Sequence, residues 1–228
     1  MKSAKATKNA PARKKILILE DHPITRQGLC QLFRRQPDLA VCGEAENVEQ
    51  AAEAIKSLQP DVVLADLSLP GKNGLEFIRD LSVQHPAIKI LVLSMHDEGV
   101  YAERSLRAGA HGYVMKTERS DKLLDAIRQV LLGEFYVSGR VSGNLLDGLS
   151  RRRQHQTAPS LGMLTTREFE IFQLIGQGLS TREITAKLSI SGKTVETHRM
   201  HLKDKLNLKS GTELVSYAVR WVVTNQLV

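Results

Sequence analysis

Cysteine is scarce: Cys30 and Cys42 are the only two in 228 residues. Two thiols cannot build a disulfide framework, and with no secretory signal they suit a reducing, cytoplasmic setting. Long apolar runs are missing as well. The longest mostly apolar stretches, such as residues 16–19 and 88–93, are strand-length, far short of the roughly 20 residues of a membrane span. No membrane partner is expected. Acid is absent from residues 1–15, which carry Lys2, Lys5, Lys8, Arg13, Lys14 and Lys15. Lacking an apolar core or much arginine, residues 1–14 read as a disordered basic tail and not as a targeting peptide.

What is present is ordinary for a globular chain: 42% hydrophobic and 25% charged residues. The length allows one large domain or two small ones. A net charge of +7 points to a polyanionic partner. It is unevenly spread, at +6 over residues 1–15, −5 over 16–136, +3 over 137–160 and +3 over 161–228.

From residue 16, short apolar runs alternate with helical patterns. Residues 16–19, 39–41, 62–65, 88–93 and 112–115 are continuous or nearly continuous apolar runs, the signature of strands buried on both faces. Helically spaced sets lie between them, such as Leu29, Leu32 and Phe33, or Leu75, Ile78 and Leu81. A last helix over 119–132 carries Leu123, Leu124, Ile127, Val130 and Leu131 on one stripe. Alternating βα units predict an α/β doubly wound, five-stranded parallel sheet covered by helices on both faces, over residues 15–136. Residues 137–160, with Gly, Ser, a Pro and Arg151, Arg152 and Arg153, read as a linker.

From Leu164 the pattern is purely helical. Thr165 and Thr166 precede Arg167 and Glu168, a Thr N-cap with an acid in the first turn, opening a helix that Gly178 ends. Ser180 and Glu183 form a capping box for the next helix, to about Leu188. Ser191 caps a third over 193–206, and a fourth runs over 211–223. Residues 161–228 are therefore expected to form an all-α four-helix domain with a helix-turn-helix.

In an open parallel sheet, ligands bind at the carboxyl ends of the strands. Glu20 and Asp21 follow the first run, Asp66 the third, Ser94 the fourth and Lys116 the fifth. Three carboxylates at one edge repel unless a cation neutralises them, and an oxygen-rich cluster suits Mg²⁺. A carboxylate beside Mg²⁺ can be a nucleophile toward phosphorus, with Lys116 and the Ser94 hydroxyl serving the equatorial oxygens.

Together with residues 62–74 and 112–116, these residues resemble the receiver domain of two-component response regulators, a flavodoxin-like fold. The resemblance implies that Asp66 accepts a phosphoryl group and that Asp21 ligates Mg²⁺. It further implies that Glu20 acts through metal-bound water and that the Ser68 backbone carbonyl completes the ligands. Ser94 and Tyr113 match the switch pair, the ring turning inward as the hydroxyl moves toward the phosphoryl group. Pro70 and Gly74 shape the loop after the nucleophile. Glu20 stands where the family often has Asp, and Thr117 follows Lys116 where many receivers have Pro.

Residues 164–168, 178–184 and 193–199 are similar to the LuxR-type DNA-binding domain, and the whole chain resembles a NarL/FixJ-type response regulator. The resemblance implies a helix from Lys193 in the major groove of double-stranded promoter DNA. Lys193, Glu196, Thr197 and Met200 would face base edges, while Thr194, His198, Arg199 and Lys203 meet phosphates. A homodimer would pair through Leu214, Val215, Ala218 and Val222. The implied partners are a sensor histidine kinase or a small phosphodonor. His198 and His201 lie three apart, close enough to share a metal, yet no Cys or second His pair completes a set.

Two other readings compete. A phosphohydrolase with an Asp nucleophile usually needs a second acid two residues on, where Ser68 stands. A phosphorylation-independent regulator would use the first domain only to dimerise, which leaves its acids unexplained. If the tail and Arg151, Arg152 and Arg153 add phosphate contacts, removing them flattens the salt dependence of DNA binding and leaves the preferred sequence unchanged. A binding titration across salt concentrations measures this, and an unchanged slope assigns them to solvent.

Overall fold

The computed structural model describes residues 13–69, 74–139, 141–143, 161 and 164–226. The tail before Arg13, Pro70, and Arg151, Arg152 and Arg153 of the linker lie outside the described residues. The chain divides into two compact units, Met1–Met95 with Ser105–Val137, and His96–Arg104 with Ser138–Val228. Residues His96–Arg104, expected in the first domain, group with the second unit.

Element order is β1 (Lys14–Leu19), α1 (Pro23–Arg34), β2 (Leu39–Ala45), α2 (Val48–Leu58), β3 (Val62–Ala65), α3 (Gly74–Gln84), β4 (Lys89–Ser94), α4 (Glu98–Arg107), β5 (Gly112–Met115) and α5 (Ser120–Leu131). All strand pairs are parallel, in the order β2-β1-β3-β4-β5. Strand order therefore reverses between β1 and β3, and the carboxyl ends of those strands flank the crevice where such sheets bind ligands.

Alternation along the strands assigns the two faces. Ile16, Ile18, Val62, Leu64, Leu91, Leu93 and Val114 share one core with Leu29 and Phe33 of α1 and Leu123, Ile127 and Val130 of α5. Leu17, Leu19, Val63, Ala65, Ile90 and Val92 are also buried, on the opposite face. This double burial explains why the strands lack polar alternation. Strand β2 is longer than its apolar run. It lies at the sheet edge, so Gly43 and Glu44 can pair with β1 while remaining solvated, and the register shifts between Ile16 and Leu17, where the ladder passes over Cys42.

The second unit holds α6 (Thr166–Gly176), α7 (Thr181–Leu188), α8 (Gly192–Leu206) and α9 (Gly211–Gln226). Thr165 and Ser180 close full capping boxes with Glu168 and Glu183, and the Ser191 side chain accepts from the Thr194 N–H. Each cap satisfies amide donors that the helix itself leaves without partners. Ser189, at φ 52°, makes the left-handed turn between α7 and α8. Phe169 and Phe172 of α6 pack on Trp221 of α9 at ring separations of 5.3 and 5.8 Å. At Gly176 a Cβ would lie 2.5 Å from both the Ala218 carbonyl oxygen and Val222 Cγ2, so α6 and α9 approach as closely as a glycine permits.

One carboxylate pins three strands at their starts. Asp61 accepts from the Lys15 N–H at 2.8 Å and from Lys14 Nζ at 2.9 Å, and its carbonyl accepts from the Lys89 N–H at 3.0 Å. Burial works to raise its pKa, but the Lys15 amide and the Lys14 ammonium outweigh that, and the net direction is down from 3.8. A carboxylate depressed in the folded state stabilises above its unfolded value, and that stabilisation is lost as pH falls through the folded value. Asp61→Asn therefore costs about 1 kcal/mol near neutrality after allowance for its partial exposure. The gap from wild type closes as pH drops below 3.8. Denaturant unfolding at several pH values reads both effects.

Candidate functional site

The strand ends converge as their order in the chain requires. The Glu20 N–H donates to the Ala45 carbonyl, the Asp66 N–H to Leu19 and the Lys116 N–H to Ser94, so sheet hydrogen bonds fix the backbone of all three residues. Their side chains then meet: Lys116 Nζ lies 2.7 Å from Glu20 Oε2 and 2.8 Å from Asp66 Oδ2. Glu20 and Asp66 are only 1% and 2% exposed, which is tolerable for charges because one ammonium serves both. Burial works to lower the Lys116 pKa, but the hydrogen bonds to Asp66 and Glu20 outweigh it and the net direction is up. The amine is therefore a cation at physiological pH.

The remaining acceptors are unequally served. Asp66 Oδ1 accepts from the Ser68 N–H at 3.1 Å, and Glu20 Oε1 from the His22 N–H at 3.1 Å. Asp21 Oδ1 is buried and, among the described residues, has no hydrogen-bond partner, although the His22 ring nitrogen lies 2.8 Å away. Carboxylate oxygens of Glu20, Asp21 and Asp66, with a nitrogen of His22, lie within 4.8 Å of one another. A buried carboxylate oxygen without a donor, among other acids, is a donor set that Mg²⁺ fits. His22 was absent from the sequence-level set, although its place directly after Asp21 was the available signal.

Ser94 is fully buried at the end of β4, and Tyr113, 1% exposed, pairs across to Val92. The Tyr113 ring already lies inside the protein. No cis peptide occurs among the described residues, so the Lys116–Thr117 bond is trans. Gly74 opens α3 directly behind the acidic site, where a Cβ would lie 2.7 Å from Leu67 Cα and 2.8 Å from the Leu67 carbonyl oxygen.

On the second unit, α8 buries Val195, Leu202 and Leu206 and exposes Lys193, Thr194, Glu196, Thr197 and Met200. Arg199 and Lys203 are partly exposed. The Thr197 hydroxyl donates to the Lys193 carbonyl at 3.0 Å, a bond within its own helix. Glu196 Oε1 accepts from the Thr181 hydroxyl at 3.0 Å, tying α8 to α7. His198 differs from its neighbours, because its Nδ1 is buried and has no hydrogen-bond partner. The His198 side chain as a whole is partly exposed.

The expected pairing face of α9 needs correction. Leu214, Ala218 and Val222 are 0%, 0% and 5% exposed, and Ala218 and Val222 abut Gly176 of α6. They are core residues of their own domain. Of the four expected residues only Val215 reaches the surface, on an apolar stripe with Val219 and Val223.

Comparison with known proteins matches each of the two parts of the chain to a family. Residues 16–128 match the response regulator receiver domain, and residues 162–218 match the bacterial regulatory proteins of the luxR family. The transcriptional regulatory protein DegU of Brevibacillus brevis is 34% identical, covering 91% of this chain and 94% of its own. The chain is a response regulator with a LuxR-type DNA-binding domain. The oxygen regulatory protein NreC of Staphylococcus aureus is 38% identical to this regulator, covering 90% of this chain and 97% of its own. A solved RcsB–DNA complex is 25% identical with a TM-score of 0.57, covering 90% of the regulator and 98% of that chain. Both named relatives are regulatory proteins. No described helix of the regulator is long and apolar enough to cross a membrane.

Proposed function

We propose that this response regulator accepts a phosphoryl group on Asp66 and, so modified, binds promoter DNA through α8. The observation that carries the reading is the Lys116 ammonium held between Glu20 and Asp66, with a carboxylate oxygen of Asp21 within 4.8 Å of theirs. An Asp66 carboxylate oxygen forms a bond to phosphorus, and the bond from phosphorus to the donor breaks. The donor is the phosphohistidine of a sensor kinase or a small acyl phosphate, and its imidazole or carboxylate leaves with the bonding pair. Lys116 and the Ser94 hydroxyl donate to the phosphoryl oxygens. Asp21, Asp66 and the Ser68 carbonyl would hold Mg²⁺, with Glu20 acting through water; the ion supplies neutralising charge at those oxygens. Slow hydrolysis of the aspartyl phosphate resets the protein, which works in the cytoplasm.

The regulator pairs on DNA as a homodimer, and the exposed Val215, Val219 and Val223 stripe of α9 supports that reading. Phosphorylation acts as a population shift, favouring the DNA-binding state by a free energy on the order of a few kcal/mol. Lys193, Glu196, Thr197 and Met200 face the groove, and Thr194, Arg199 and Lys203 the phosphates. The internally bonded Thr197 hydroxyl leaves its methyl for thymine.

Asp66→Asn abolishes labelling by acetyl phosphate or a kinase, as read by phosphate-affinity electrophoresis; stoichiometric stable labelling of the variant sinks the assignment. In DNA-binding assays, Lys203→Ala weakens all sequences alike and lowers the salt slope by about 1. Glu196→Ala changes preference at one base pair by about 1–3 kcal/mol. Uniform weakening by both would remove Glu196 from base readout.

A further inference from the structure

The helical unit carries a second cluster of metal-ligating groups, in which Glu168 lies 30 or more positions from two histidines of another helix. Glu168 of α6 and His198 and His201 of α8 each offer one ligand atom, and the three atoms lie within 4.8 Å of one another. A tetrahedral zinc ion with bonds of about 2.0–2.1 Å sets its ligand atoms about 3.4 Å apart. His201 Nδ1 and Glu168 Oε1 are already 3.7 Å apart, so small side-chain rotations complete the set.

The two oxygens of Glu168 have separate duties. Oε2 accepts from the Thr165 N–H at 2.8 Å and from Lys205 Nζ at 2.6 Å, which keeps the cap and the α6–α8 packing. Oε1 is the one that faces His201. His198 Nδ1 is buried and, among the described residues, has no hydrogen-bond partner. The His201 side chain is 46% exposed and gives an ion and a water a path to the site.

We propose that Glu168, His198 and His201 form a zinc site that ties α8, the DNA-reading helix, to the first turn of α6. Two imidazoles and one carboxylate suit zinc, whereas the oxygen-rich cluster of the first unit suits Mg²⁺. Water fills the fourth position. The Lys205 ammonium on the other carboxylate oxygen opposes the ion, and sets a moderate affinity that permits reversible loading.

The test uses the untagged full chain in millimolar Mg²⁺, titrated with Zn²⁺ against a chromophoric chelator. One ion binds per chain, His201→Gln weakens it at least about tenfold, and Asp21→Ala leaves it unchanged. Lys205→Gln, which removes the competing cation, tightens it. Zinc raises the melting temperature of the wild type but not of His201→Gln, and the two melt alike in chelator. The proposal is overturned by a dissociation constant weaker than about 100 μM. It also falls if His201→Gln retains full affinity, or if the loss appears in Asp21→Ala instead.

Discussion

Two buried acids that share one ammonium are the constraint on which the first unit depends. Glu20, Asp66 and Lys116 come from the ends of three different strands, and no two are close in sequence. Desolvated carboxylates side by side are costly, and only correct strand order and register bring the Lys116 ammonium to within 2.7 and 2.8 Å of them. The apolar sheet beneath is therefore a positioning device as well as a core. The same bridge holds the Asp66 and Glu20 carboxylates in fixed places at the edge of the sheet.

The second unit is held together differently. Its helix starts are fixed locally, by Thr165, Ser180 and Ser191, each bonding three residues ahead. Its aromatic core, around Phe169, Phe172 and Trp221, then sets how the helices cross. Much of its order is thus short-range in sequence, while the acidic site of the first unit is long-range throughout. Charge follows the same division, with an acidic receiver and a positive balance on the helical domain.

This difference explains what could be read in advance. Strands buried on both faces leave continuous apolar runs, so β3 and β5 were legible to the residue, and the rule that ligands gather at strand ends led to Glu20, Asp21, Asp66, Ser94 and Lys116. Capping boxes announce themselves three residues apart. Edge strand β2 was read too short because its partly solvated residues carry no apolar signal. The face of α9 was misread because two apolar stripes lie side by side on that helix. Periodicity cannot say that Leu214, Ala218 and Val222 turn inward while Val215, Val219 and Val223 turn out. Glu168 was recognisable as a cap, but its nearness to His201 depends on how α6 and α8 cross, which no local pattern encodes.

The missing side chain at Gly74 bears on how firmly Asp66 is seated. The backbone of Leu67, next to Asp66, rests against the first residue of α3 with no room even for a methyl group. The peptide that leaves β3 is thus backed by a helix start, while Asp66 itself is tied to β1 through its N–H and to the Ser68 N–H through Oδ1. A side chain at position 74 would push that peptide and shift the carboxylate relative to the Lys116 ammonium. The absence of one methyl group thereby acts as a spacer, setting how far the helix stands from the strand end it supports.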